Sequence, residues 1–346
     1  MGLLTNLLDL APGPLVRLFA RPYVAGDSLE KGLAVARRLL RDAGIVTTLD
    51  LLAEEVQSEE RARANQATYL EMIRAVAGDP GFHAPRDRPT ISVKLSSFTT
   101  APLDRGGDAR GAREAVEVVA VAAKRHGVPL TLDMEDHCWT DFTLDLAIDL
   151  YRRGFDVGTV LQTRLHRTQR DLDRVPEGMR IRMVIGIYLE PPALALVDKP
   201  PMKARLIEQS AHLLERGVFV EFATHDEAVV RRFFVDVVRP RAIGGERFEV
   251  QMLYGVPRAA LLGEILAGGL SPADGVPPPV RLYVPFATAW DQATAYCKRR
   301  LHNNPHMAAY VVLNLLQLLR GKSPGISQYA DAASGPIARK PGDRMH

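Results

Sequence analysis

"EAVEVVAVAAKRHGVPLTLDMEDH" (residues 114–137) holds the fold in miniature. Its first part repeats apolar residues at helical spacing, and Gly127 then suits the position just past a helix end, where a left-handed residue is wanted. "PLTLDME" (129–135) follows as a short β-rich run bounded by turn residues. The run ends in a charged group, Asp133, Glu135, Asp136 and His137. Helix, stop, strand, polar end is the unit from which parallel α/β sheets are built.

The unit recurs on both sides. Further β-rich runs are "AGIVTTLDLL" (43–52), "TISVKLSSF" (90–98), "VGTVLQTRL" (157–165) and "IRMVIGIYLE" (181–190), then "VFVEFATHD" (218–226), "RFEVQMLYG" (247–255) and "VRLYVPF" (280–286). Helical runs lie between them. "DFTLDLAIDLYRRGF" (141–155) is expected to take Asp141 as its N-cap and to end near Gly154, and "KARLIEQSAHLLERG" (203–217) closes at Gly217. Eight strands alternating with helices predict an α/β fold, a TIM-like (β/α)8 barrel, over residues 44–320. An open doubly wound sheet is the alternative, but no G-x-G-x-x-G follows the first strand. Residues 1–43 read as an N-terminal helical arm, with "SLEKGLAVARRLLRDAG" (28–44) amphipathic, and "SEERARANQATYLEMIRAVAGD" (58–79) as a long helix after the first strand. The Gly-, Pro- and Ser-rich tail 321–346 is expected to be loose.

Composition narrows the function. The 346 residues carry 44 basic and 41 acidic side chains, a formal net charge of +3, with the signs mixed along the chain. That argues against a nucleic-acid partner. The two cysteines, Cys138 and Cys297, fit a reducing compartment and are too few for a zinc site built on three or four thiolates. No apolar run is long enough to span a bilayer, and the apolar N-terminus lacks a signal peptide's basic start. A cytoplasmic protein is expected. The N-terminal arm either packs on the body or touches a membrane surface peripherally.

In such a barrel the chemistry sits at the carboxy ends of the strands. The second strand ends near Lys94 and the third in Asp133; the fourth carries Gln162 and the fifth Arg182, running to Tyr188. The sixth ends in Thr224 and His225, the seventh carries Gln251, and the eighth carries Tyr283. Each has a plainer reading: Asp133 or Asp136 as a helix cap, His225 as a satisfied core histidine, Gln162 as an amide paired within the barrel. "DMEDH" gathers carboxylates and an imidazole, but no ligand spacing supports a metal, and none is expected.

Past the last strand, Ala293, Tyr296, Cys297, Arg300 and Leu301 form the apolar stripe of a helix that breaks at Asn304–Pro305. Arg300 lies within that stripe, and a buried unpaired guanidinium is very expensive. With Arg299 beside it, the pair either grips one carboxylate or phosphate or salt-bridges to Asp291 at the surface.

The order "YVAGDSLEKGL", "TTLDLLAEEV", "SVKLSS", "LDMED", "VLQTRLHRT", "RMVIGIYLEP", "FATHD", "QMLYG", "YVPF", "YCKRRL" resembles the proline dehydrogenase family, across nearly the whole of residues 20–320. It is similar to the monofunctional bacterial form rather than the fused proline utilisation A enzymes. The resemblance implies a (β/α)8 barrel holding FAD that oxidises L-proline to Δ1-pyrroline-5-carboxylate by hydride transfer to flavin N5 and passes electrons to a quinone. It also implies transient contact with a pyrroline-5-carboxylate dehydrogenase. Arg299, Arg300 and Lys94 then hold the proline carboxylate, with Asp133 orienting that group. Tyr283, Tyr296 and Leu253 pack on the pyrrolidine ring, and Tyr283 favours proline over hydroxyproline. Gln162, Arg182, Gly186, Thr224, His225 and Gln251 match flavin-holding positions, and Tyr188 reaches either ligand. Three positions depart from the family: Ile185 stands where it has lysine, Asn303 where it has glutamate and Ala287 where it has glycine. These open a first alternative, a related flavoenzyme acting on another cyclic or secondary amino acid. A second is a barrel that binds without turnover.

Overall fold

The computed structural model describes residues 23–53, 56–273 and 275–288. Among these, eight parallel strands close into a barrel in chain order. They are β1 (Val46–Leu51), β2 (Thr90–Val93), β3 (Leu130–Leu132), β4 (Val157–Gln162), β5 (Arg180–Val184), β6 (Phe219–Ala223), β7 (Phe248–Leu253) and β8 (Val280–Phe286). The register Leu49–Val284 between β1 and β8 closes the ring. The main helices are α1 (Leu29–Ala43), α2 (Glu59–Gly78), α3 (Ala112–His126), α4 (Thr140–Arg152), α5 (Thr168–Asp171), α6 (Lys199–Glu215), α7 (Glu227–Phe233) and α8 (Ala259–Leu266).

Local chemistry sets the ends. Ser28 and Ser58 accept the backbone N–H of Lys31 and Arg61 and cap α1 and α2. Gly127 stops α3 at φ +62°, as its place after the apolar run predicts. Two expectations need correction. Asp141 does not cap α4: the helix begins one residue earlier, behind Trp139, and Asp141 sits in the first turn, paired with Arg167. The fifth strand does not run to Tyr188. It ends at Val184, because Gly186 takes φ +100° and turns the chain out of the extended ladder.

The strands alternate two kinds of residue. Leu49, Ile91, Leu132, Ile181, Val220, Phe222, Val250 and Leu282 point outward into one apolar layer shared with the helices. Between them stand Asp50, Ser92, Arg182, Glu221, Glu249, Gln251, Arg281 and Tyr283. Several of these bond to one another across the barrel, so this second set faces the interior. The hydrophobic core is therefore an annulus between strands and helices. α1 belongs to it: Leu33, Ala36 and Leu39 are buried there, and at Gly32 an added Cβ would already lie 3.3–3.6 Å from Phe286 and Leu49.

An aromatic cluster locks one side of that annulus. Phe233 of α7 stacks on Phe222 of β6 with ring centres 4.0 Å apart and meets Phe248 edge-on at 5.5 Å. Phe233→Ala is expected to lower unfolding free energy by about 3–5 kcal/mol. Urea denaturation measures this, and a loss under about 1 kcal/mol would mean the site collapses to fill the space.

Candidate active site at the carboxy rim

Because all strands run the same way, the last inward residues of β1, β2, β3, β5, β7 and β8 converge on one rim. Lys94 and Asp133 are the residues next after β2 and β3, and the Asp133 N–H still continues the ladder to Val93 O at 2.9 Å. Asp133 is the shared acceptor. Arg182 Nη1 donates to its Oδ1 at 2.8 Å and Tyr283 Oη donates to its Oδ2 at 2.7 Å, while Lys94 Nζ stands 3.5 Å from Oδ2. Lys94 also bonds Asp50 Oδ1 and lies 3.4 Å from Tyr283 Oη. The Arg182 guanidinium lies over the Tyr283 ring, 5.2 Å from its centre.

A second tier lies below. Arg182 Nε donates to Gln251 Oε1 at 2.7 Å, and Gln251 Nε2 donates to Glu221 at 2.7 Å and Glu249 at 2.5 Å. Arg180 pairs with Glu221 at 2.9 Å and Arg281 with Glu249 at 2.6 Å. Among the described residues the interior thus sets four cations (Lys94, Arg180, Arg182, Arg281) against four carboxylates (Asp50, Asp133, Glu221, Glu249), which balance.

Pairing fixes the protonation states. Burial works to discharge Lys94, but Asp50, Tyr283 and Asp133 outweigh it and hold its pKa well above the lysine range. Burial also opposes ionisation of Asp133, and Lys94 and Arg182 reverse that, leaving its carboxyl below its ordinary value. Burial, then Asp133 and Asp50, push the Tyr283 phenol far up. At neutral pH the rim therefore presents an ammonium, a guanidinium and a phenol O–H around a carboxylate.

The remaining expected residues fall around the rim from β4 to β7. Gln162 Nε2 donates to the carbonyl of Glu135 at 2.7 Å, so a barrel partner satisfies part of this amide. A Cβ on Gly186 would come within 2.5 Å of Gln162 Oε1, so only glycine fits at that turn. The carbonyl of half-buried Tyr188 accepts from Arg164. Thr224 Oγ1 accepts the N–H of Asp226 at 3.2 Å, and His225 Nε2 accepts the N–H of Leu253 at 2.8 Å, tying the ends of β6 and β7. This bond satisfies one ring nitrogen of His225 within the barrel. Among the departing positions, Ile185 packs against the apolar layer, and Ala287 is buried with its N–H on the carbonyl of Gly26 at 3.0 Å. Tyr296, Arg299, Arg300 and Asn303 lie outside the described residues, as do most of the N-terminal arm and the tail.

Sequence reasoning missed Asp50, Glu221, Glu249 and Glu190. For the first three the signal was present: a carboxylate between apolar neighbours at period two in "TLDL", "VEF" and "FEVQ". Glu190 carried no such signal, since only the fold brings it to His137, 53 residues away.

The fold and rim describe a (β/α)8 enzyme site lined by buried, paired titratable groups. A model of the family described as proline dehydrogenase matches residues 34–189. The chain is 34% identical to "Proline dehydrogenase" of Deinococcus radiodurans over 325 residues, 90% of this chain and 97% of that one. It is 30% identical to "Proline dehydrogenase 1" of Bacillus subtilis over 302 residues, 87% of this chain and 92% of that one. Among solved structures, proline utilization A (PutA) from Bdellovibrio bacteriovorus, inactivated by N-propargylglycine, superposes with a TM-score of 0.70 at 20% identity. That match covers 95% of this chain and 37% of the longer protein, and it supports the barrel fold. The chain belongs to the proline dehydrogenase family.

Lys94→Met would leave Asp50 and Asp133 without their shared buried cation and is expected to cost about 3–5 kcal/mol. Adding Asp50→Asn should restore more than half of that loss in chemical denaturation. If the double variant is as unstable as Lys94→Met, the two residues are not coupled.

Proposed function

We propose that this chain is an FAD-dependent proline dehydrogenase that oxidises L-proline to Δ1-pyrroline-5-carboxylate by hydride transfer to flavin N5, with a quinone as onward electron acceptor. The observation that carries this reading is the bonded set Lys94, Asp133, Arg182, Tyr283 and Gln251 at the strand ends of a chain in this family.

The residues fit the cofactor. Arg182 is buried, and its Nη2 has no hydrogen-bond partner among the described residues, which leaves a guanidinium donor for an outside acceptor. At Gly186 the backbone packs directly against the Gln162 side chain, which holds the two together on the rim. Gln162, Arg182, Gly186, Tyr188, Thr224, His225 and Gln251 would hold FAD, which when bound supplies the acceptor for the hydride leaving the carbon beside the proline nitrogen.

The remaining work falls to the protein. Since the interior charges cancel, Lys94 alone is a weak anion trap: Asp50 and Asp133 already share its charge. Arg299 and Arg300 would therefore supply the net positive charge that grips the proline carboxylate, with Lys94 as a directional donor. Leu253, Tyr283 and Tyr296 would cover the pyrrolidine ring and exclude water. A phenol held by Asp133 and Lys94 cannot swing aside for a ring substituent, which favours proline over hydroxyproline. Lys94 and Tyr283 keep their protons, so neither takes the proton of the substrate amine near neutral pH.

No helix among the described residues is long and apolar enough to cross a membrane. We place the enzyme in the cytoplasm, with peripheral contact at the inner membrane, the side of the quinone, as the alternative. The relative "Bifunctional protein PutA" of Escherichia coli, 24% identical over 326 residues, carries a second function on one chain. This fits transient contact here with a separate pyrroline-5-carboxylate dehydrogenase.

The purified protein should be yellow, and L-proline under anaerobic conditions should bleach its flavin absorbance. Arg300→Met should abolish the bleaching while flavin stays bound. Normal bleaching in that variant would refute the carboxylate role. A yellow protein bleached only by other cyclic amino acids would shift the substrate, and a colourless one would sink the assignment.

The pH profile of kcat/KM should show no break from Lys94 or Tyr283 below about pH 10. A break there that vanishes in Tyr283→Phe would mean that the phenol ionises within the working range.

A further inference from the structure

The turn after β3 folds three consecutive side chains together on the outer part of the rim. One ligand atom each from Asp136, His137 and Cys138 lies within 4.8 Å of the other two. Cys138 Sγ stands 3.5 Å from His137 Nε2. A zinc-like ion bound by a thiolate at about 2.3 Å and an imidazole at about 2.1 Å, at a tetrahedral angle, would set these atoms about 3.6 Å apart. The pair already stands at chelating separation.

The other imidazole nitrogen is fixed from outside the turn. His137 Nδ1 lies 2.6 Å from Oε2 of Glu190, whose Oε1 accepts the His137 backbone N–H at 2.9 Å. The Glu190 side chain is only 2% exposed. With Nδ1 engaged by that carboxylate, Nε2 is the ring nitrogen left facing the thiol. Metal-bound histidines are oriented by carboxylates in the same manner. Asp136 Oδ1 accepts the Cys138 N–H at 3.0 Å, which holds its carboxylate beside the thiol. Cys138 is exposed, so an ion can enter from solvent and a water can complete the set.

We propose that Asp136, His137 and Cys138 form a binding site for a borderline divalent transition-metal ion of the zinc or cobalt type, with Glu190 as the positioning residue for His137. The spacing that the linear sequence lacks is produced by the 3₁₀ turn at His137–Trp139, which gathers neighbours in the chain around one point. Thiolate and imidazole select such ions over Mg2+ or Ca2+.

The test uses the full chain without a histidine tag, stripped with a chelator and titrated with Co2+. One Co2+ per chain should bind, with a sulfur-to-cobalt charge-transfer band in the near ultraviolet. Cys138→Ser should remove the band, and His137→Ala should weaken binding at least about 10-fold. Glu190→Gln should weaken it about 10–100-fold while the band persists. Cys297→Ser should change nothing. Thermal melts of the metal-free variants establish that each is folded. A missing thiolate band, or one that survives Cys138→Ser or follows Cys297, overturns the site. Unchanged affinity in Glu190→Gln overturns the positioning role. The readout is metal spectroscopy, so it stands whether or not L-proline is turned over.

Discussion

One carboxylate, Asp133, ties the rim together. It takes hydrogen bonds from Arg182 on β5 and Tyr283 on β8 and faces Lys94 at the end of β2, while its own N–H extends the β2–β3 ladder. A buried carboxylate with three donors stays ionised, and each donor is held in one position by it. Lys94 keeps its proton because Asp133 and Asp50 flank it, and Tyr283 keeps its proton because the same anions oppose its ionisation. The site's protonation pattern and its geometry are therefore one property.

The second tier extends this constraint through the barrel. Parallel barrels commonly fill their interior with layers of branched apolar side chains. Here charged residues fill much of it, and the apolar packing has moved to the annulus between strands and helices. Buried ion pairs seldom add net stability over well-packed apolar residues, whereas losing one partner is severe. The eight matched charges thus act less as a source of stability than as a lock on register: a strand slipping by one residue would turn its charged face into the apolar layer.

The fold was legible because period-two strands and 3.6-residue helices alternated with clear stops, as at Gly127 and Gly217. Reading fell short where local pattern competes with backbone geometry. "IRMVIGIYLE" looks like one long strand because its residues are β-prone, yet the turn at Gly186 ends it at Val184. Five of the expected site residues, Lys94, Asp133, Arg182, Gln251 and Tyr283, do meet, since inward positions at strand ends must converge in a closed barrel. Asp50 was overlooked because its role depends on Lys94, 44 residues away. The pairing of Glu190 with His137 depends on two loops meeting, which no spacing in either loop encodes.

Charge balance also constrains how any anionic substrate is held. Lys94 and Arg182 lie beside Asp133, and an approaching carboxylate meets that negative charge as well as theirs. A neutral interior offers direction through its N–H and O–H donors, but little long-range attraction. On the proposed reading, affinity for a small acid comes from cations outside this balanced set, Arg299 and Arg300, which follow β8 in the chain. Asn303, in place of a family glutamate, removes one counter-charge from that same stretch of sequence. With the interior cancelled by its own carboxylates, a change of one charge beyond it shifts the net field on the substrate by a large fraction. On the proposed reading, divergence at this position acts on substrate affinity, while the buried lock is built from other residues.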